Sequence, residues 1–121
     1  MRTVTLCGPR GLRLRAMVPE SRRERMRGLI DRASLDPHEA LMLERTRSIH
    51  TFGMRFPIRV ALLDRHRTVR LVRRLLPRRV LLPRPGIRDV LELHEDVDAR
   101  PGDRLTLGAS EGNRGLPADP V

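Results

Sequence analysis

The sequence predicts a small, mainly β protein (small α+β): a compact, largely antiparallel β-barrel or sandwich with one short N-terminal helix. Three observations lead there. Short apolar segments recur along the chain, several with a period of two. Turn chemistry punctuates them at Gly8-Pro9-Arg10-Gly11, Asp36-Pro37, Pro85-Gly86 and Pro101-Gly102-Asp103. Only one segment, near residues 21–30, carries a clear helical period. A chain of 121 residues suits one domain with one core. With aromatics at 2%, that core must be built from Leu, Val, Ile and Met.

Residues 3–7 and 11–18 are expected as a hairpin, with Leu12, Leu14, Ala16 and Val18 alternating against their neighbours. Ser21 followed by Glu24 has capping-box spacing. Met26, Leu29 and Ile30 then define one apolar stripe facing the core, on a helix of about two or three turns. Gly28 either ends that helix in a left-handed residue or lets it approach a neighbour closely. Short strands are expected at 40–44 and 48–52. Gly53-Met54-Arg55 makes a corner, and Phe56 is extended because Pro57 follows it.

Residues 58–63 read as the principal core strand, with Ile58, Val60 and Leu62 on one face and Ala61 and Leu63 on the other. A turn at 64–67 and a return over 68–72 make this pair the expected central hairpin. Prolines at 77, 83 and 85 confine 80–82 to a short edge strand. Residues 90–93 and 105–107 are the closing strands. The domain therefore spans 1–107, and 108–121 is expected as a flexible C-terminal tail.

The formal charge is +10, and its distribution is uneven. Residues 1–88 hold 22 Arg against 7 acids, and residues 89–121 hold 3 Arg against 8 acids. From Arg65 to Arg88 there are nine arginines and no acid. Such a stretch attracts phosphates, anionic lipid or acidic protein faces. The chain has no Lys, so part of its Arg content reflects a GC-rich genome rather than function. No apolar run of membrane-spanning length occurs, and Met1–Pro19 lacks the continuous apolar region of a signal peptide. Cytoplasmic localisation and a monomer are the expectations. A single cysteine, Cys7, excludes an internal disulfide and a cysteine-based zinc site.

The most informative stretch is Ser48 to Asp64. It holds both phenylalanines, Phe52 and Phe56, together with His50 and a polar corner set in an apolar run. The motifs fall in a definite order. Arg-Met-Arg-Gly-Leu at 25–29 precedes a short apolar strand at 40–43. Ser-Ile-His-Thr-Phe-Gly-Met-Arg-Phe-Pro-Ile follows at 48–58. Val-Leu-Glu-Leu at 90–93 and Pro-Gly-Asp at 101–103 complete the set. Over roughly residues 18–107 the chain resembles the domain of unknown function 192, a family of uncharacterised bacterial and archaeal proteins. The resemblance implies a compact, mostly β fold with a short helix. It also implies two departures here. Arg59 stands where relatives tend to have an acid, and His94-Glu95-Asp96 replaces a small, glycine-bearing segment.

His50, Thr51, Met54 and Arg55 are the candidate ligand-binding residues. A corner there can present an imidazole, a hydroxyl and a guanidinium fork to one small anionic ligand or to an acidic protein surface. The competing reading is structural, with His50 and Thr51 satisfying backbone groups and Met54 filling the core. The four histidines show no metal-ligand spacing, so neither metal nor cofactor is expected. Cys7 has no activating neighbour in sequence, and no nucleophile elbow, phosphate loop or dinucleotide fingerprint occurs. The expected function is thus a non-enzymatic binding or interaction module with its recognition corner at 48–55. The alternative is a nucleic-acid-associated protein using Arg67, Arg70, Arg73, Arg74, Arg78 and Arg79, with Arg65 and Arg84 beside them. No Tyr or Trp interleaves that charge to stack on bases.

Overall fold

The computed structural model describes residues 1–108. Nine strands and one α-helix succeed one another as β1 (Arg2–Cys7), β2 (Arg13–Val18), α1 (Arg22–Arg27), β3 (Glu39–Leu43), β4 (Ile49–His50), β5 (Ile58–Leu63), β6 (Val69–Leu75), β7 (Val80–Leu81), β8 (Asp89–Leu93) and β9 (Thr106–Leu107). Seven of the strands form one sheet in the order β6-β5-β8-β3-β2-β1-β9, curled into a half-barrel. Strands β4 and β7 form a separate two-stranded sheet. Every pairing is antiparallel except β2 with β3. The mainly β expectation holds, and the barrel-like curvature leaves β6 and β9 as the outer strands.

Both faces of the sheet are covered. One face carries Leu14, Ala16 and Val18 of β2, Ala40 and Met42 of β3, Ala61 and Leu63 of β5, and Leu91 and Leu93 of β8. The other carries Leu41 and Leu43 of β3, Ile58, Val60 and Leu62 of β5, and Val90 of β8. The alternation read for β5 is therefore the division between two cores. Burial of each Leu, Ile, Val or Met side chain contributes roughly 1.5–3 kcal/mol. On the second face, Leu29, Ile49, Met54 and Leu81 pack down from the loops and the small sheet. This covering layer forms the candidate site.

Several elements differ from the sequence reading for physical reasons. The capping box forms as expected, with the Glu24 amide donating to Ser21 Oγ and the Ser21 amide to Glu24 Oε1. The helix then stops after six residues, because Gly28 takes φ 46° and ψ −123°. Met26 consequently stays 72% exposed, and only Leu29, beyond the helix, is fully buried. The 58–63 hairpin exists but is not central: β6 is an outer strand, while β8 pairs with both β5 and β3. The strand expected at 48–52 shrinks to Ile49–His50, since Thr51 leaves the ladder to bond the 76–79 turn. The expected tail over 108–121 lies, apart from Gly108, outside the described residues. Among the described residues no helix is long and apolar enough to cross a membrane.

Candidate functional site

Strand β8 puts an acid where its neighbours are apolar. Glu92 pairs in register with Leu41 of β3 and Val60 of β5, so its side chain rises from the middle of the second face. It is only 4% exposed. It has no hydrogen bond or ion pair among the described residues, and its Oε2 is fully enclosed. Burial among apolar groups disfavours the charged carboxylate and pushes its pKa up to about 8. At neutral pH Glu92 is thus a carboxylic acid, with one O–H to donate and one carbonyl to accept.

Glu92 lies at the base of a cleft of about 260 Å³. One wall is the segment from α1 through Ile30, which supplies Arg22, Arg25, Met26, Arg27, Gly28 and Leu29. The other is the corner with Ser48, Ile49, His50 and Met54, and Leu43 closes the side. Two glycines set the spacing of these walls. At Gly28, φ is 46°, and a Cβ would stand 3.6 Å from Leu41. At Gly53, φ is 85°, and a Cβ would stand 3.5 Å from Ile30. Both backbone conformations disfavour any side chain, whatever room exists. Arg25 Nη2 donates to the Glu44 carbonyl at 2.7 Å. Arg27 is held by Asp31 at 3.3 Å. Arg22 is exposed and has no ion pair among the described residues.

The four corner residues separate into distinct positions. His50 and Met54 line the cleft, Met54 as part of its packed wall and His50 at the exposed edge, where its ring lies tilted against Phe52 with centroids 5.6 Å apart. Thr51 is fully buried. Its hydroxyl donates to the Leu76 carbonyl at 2.6 Å and accepts from the Arg79 amide at 2.8 Å. It pins the corner to the turn before β7. Arg55 is exposed and does not line the cleft.

Glu92 itself is visible in sequence only as part of Val-Leu-Glu-Leu. The signal that distinguishes it is an acid inside a strand, in phase with Val90, where both faces of the strand are apolar. Arg59, the departure noted in the family motif, alternates with Val60 and so lies on the face away from the cleft. It donates to the Val97 carbonyl and ties β5 to the 94–99 loop. The loop departure at His94 is likewise outside the cleft, with Nδ1 accepting from the Asp96 amide at 3.0 Å.

The arginine-rich stretch is divided by the strand it occupies. Arg73 and Arg74 are consecutive on β6 and project to opposite sides. Arg74 pairs with Glu95 at 2.9 Å, and Arg70 approaches Asp64 at 3.9 Å. Arg67 is half-buried at the hairpin turn, with an enclosed Nε. Arg78 and Arg79 sit at the turn bonded to Thr51. A wider groove of about 640 Å³ runs between residues 10–15 and His38, Val97 and Asp98, and at its edge Arg10 is already engaged by Asp98 and Asp103. Among the described residues no group of three His, Cys, Asp or Glu side chains gathers as a metal site.

The chain is a curled seven-stranded half-barrel, with a small sheet and a capped helical turn covering a buried acid on one face. Residues 5–107 match the domain of unknown function 192, whose members are described as uncharacterized ACR, and the chain belongs to that family. No curated protein matches it. Two solved structures share its fold. One is a protein of unknown function from Novosphingobium aromaticivorans, with a TM-score of 0.74, 20% identity, and coverage of 86% of this chain and 83% of that one. The other is a Sinorhizobium meliloti protein provisionally described as a transcription regulator, with a TM-score of 0.71, 21% identity, and coverage of 88% and 92%.

Proposed function

We propose that the protein is a small-molecule binding module whose site is the cleft between the α1 segment and the 48–54 corner. One observation carries this reading: Glu92 is buried, unpartnered among the described residues and placed at the base of the same cleft that His50 and Met54 line. A buried polar group left without a partner costs about 1–3 kcal/mol. A core position opposite Leu41 and Val60 would be filled more stably by an apolar residue, so an acid there requires another reason. A ligand that completes its hydrogen bonds supplies one. Binding rather than turnover is proposed because Glu92 has no hydrogen-bonded base or nucleophile among the described residues to act with.

The test is ligand-observed NMR with a fragment library on the wild type and on Met26→Trp. Met26 stands at the mouth and is exposed, so the indole blocks entry without disturbing a core contact. Fragments that bind the wild type and are lost in Met26→Trp support the cleft. A library with no binder sensitive to that substitution would contradict it.

A further inference from the structure

The cleft has a chemical polarity from mouth to base. Its walls are aliphatic, formed by Leu29, Ile30, Leu43, Ile49 and Met54. Its mouth is cationic, because Arg22, Arg25 and Arg27 all line it, and the acids of the same segment, Glu24 and Asp31, are paired with the Met1 amine and with Arg27. Its base is Glu92, enclosed and without a partner among the described residues. A ligand cation would have to pass the arginine mouth, where Arg22 is unpaired among the described residues, and then form an ion pair in a dry site, where desolvation offsets much of the attraction. An anion is drawn to the mouth and need not enter the base. What the base can use is a neutral group with a donor or an acceptor, to meet the O–H or the C=O of a protonated carboxyl.

We propose that the cleft binds a small organic anion of the N-acyl amino acid type. Its carboxylate is held at the arginine mouth, its aliphatic body lies against Leu29, Ile49 and Met54, and its amide makes one hydrogen bond with the Glu92 carboxyl. This rests on the cleft being a binding site at all, and adds which chemistry it takes. A nucleotide offers the same elements, a base edge and an anionic end. The aliphatic walls, with no Phe, Tyr or Trp in the lining, favour the acyl amide.

Binding is then linked to protonation. The charged or titratable groups around Glu92 are Arg22, Arg25 and Arg27 from the α1 side and His50 from β4, while the strands beneath present Leu41 and Val60. Burial keeps Glu92 protonated up to about pH 8, so affinity falls as pH rises through that value. Glu92→Gln keeps a donor and an acceptor at every pH. It therefore isolates Glu92 from His50.

The experiment uses the full chain with 13C-methyl methionine. Met26 and Met54 report the cleft, and Met42, on the opposite face, is the control. The probes are N-acetyl-leucine (anion), N-acetyl-leucinamide (neutral), leucinamide (cation) and adenosine monophosphate. The expected result is saturable shifts at Met26 and Met54 with N-acetyl-leucine. Affinity should drop at least about tenfold in Glu92→Leu. It should survive in Glu92→Gln, whose pH dependence near 8 is lost. Arg22→Gln should weaken N-acetyl-leucine and leave N-acetyl-leucinamide unchanged. A preference for leucinamide, or for adenosine monophosphate alone, would overturn the assigned ligand class while leaving a binding cleft. No cleft shift with any of the four, alongside fragments that do bind there, would overturn it as well. Silence from both the probes and the fragment library would remove the cleft reading itself.

Discussion

Glu92 and His50 line one cleft although they belong to different sheets, Glu92 on β8 of the half-barrel and His50 on β4 of the small sheet. The buried acid comes from the large sheet and the exposed imidazole from the layer that covers it. Thr51 pins the covering corner to the turn after β6, and Gly28 and Gly53 lie close against Leu41 and Ile30. The geometry of the cleft therefore depends on residues that do not all face a ligand.

Glu92 should dominate the stability profile between pH 4.5 and about 8. Its pKa is raised from 4.5 unfolded to about 8 folded. Below 4.5 both states hold the proton and the group adds no pH dependence. Between the two values the unfolded chain has released the proton and the native one has not. Stability therefore falls as pH rises, with a slope of up to about 1.4 kcal/mol per pH unit. Urea midpoints measured across that window should decline in the wild type and flatten in Glu92→Gln. Glu92→Leu should be flat and also more stable near neutrality, by roughly 1–3 kcal/mol. Parallel profiles for wild type and Glu92→Gln would show that Glu92 ionises freely in the fold.

Thr51 anchors the corner by one hydroxyl that both donates to Leu76 and accepts from Arg79. Thr51→Val keeps the shape and removes both bonds, leaving a carbonyl and an amide short of a partner. The expected loss is about 1–3 kcal/mol in chemical denaturation. Thr51→Ser should recover most of it. If Val were tolerated as well as Ser, the hydroxyl would be incidental to the corner.

The fold was largely legible because β2 and β5 alternate cleanly, and a strand covered on both faces still obeys period two. The family motif added order to those strands. The central place of β8 was not legible. Five residues at the end of a long excursion read like any short strand, and only tertiary pairing puts them between β5 and β3. Nor could sequence separate His50 from Thr51. Adjacent residues at a corner point to different sides, and which side holds the core is set by β7, much later in the chain. Glu92 was hidden for a related reason: an acid in a short strand reads as solvent-facing until both faces are known to be covered.

Gly28 and Gly53 should be intolerant of side chains for backbone reasons rather than for space. Neither hypothetical Cβ makes a contact closer than 3.5 Å. At Gly28 the pairing of φ 46° with ψ −123° lies outside the region L-residues reach. Gly28→Ala should cost about 1–3 kcal/mol. Gly86, with φ 81° and open space around it, provides a comparison in which only the turn is strained. Thermal melts should rank Gly28→Ala below Gly86→Ala. The Met26 and Met54 methyl resonances should move in the Gly28 and Gly53 variants and stay in place in the Gly86 variant, because Gly28 and Gly53 set the cleft walls. Equal melting points and unmoved methyl signals would show that these two glycines are interchangeable with any turn glycine.

Asp103 should control part of the acid side. Its carboxylate receives both terminal nitrogens of Arg10, with Nη1 3.2 Å from Oδ1, and the Arg100 amide at 2.9 Å. The side-chain bond from Arg10 is the main influence holding its pKa below the ordinary aspartate value of 3.8, against the opposing effect of burial. A depressed folded pKa gives stability that is present above 3.8 and lost as pH falls through the folded value. The same loop is clipped to the β5–β6 hairpin, where Val69 donates to the Asp103 carbonyl at 2.7 Å and Thr68 bridges Arg104. Loss of the ion pair should therefore loosen the end of the sheet where β9 meets β1. The nearby Asp98 cannot readily substitute, since it is exposed and already shared between Arg10 and Arg100. The measurement is the denaturation midpoint of wild type and Asp103→Asn at neutral pH and again below 3.8. Asp103→Asn should be the less stable at neutral pH, and the gap should narrow as the wild type gains its proton. Other surface carboxylates cancel, because only the difference between the two proteins is read. A gap that stays constant through the acid range would show that the Arg10 pair adds nothing to folding.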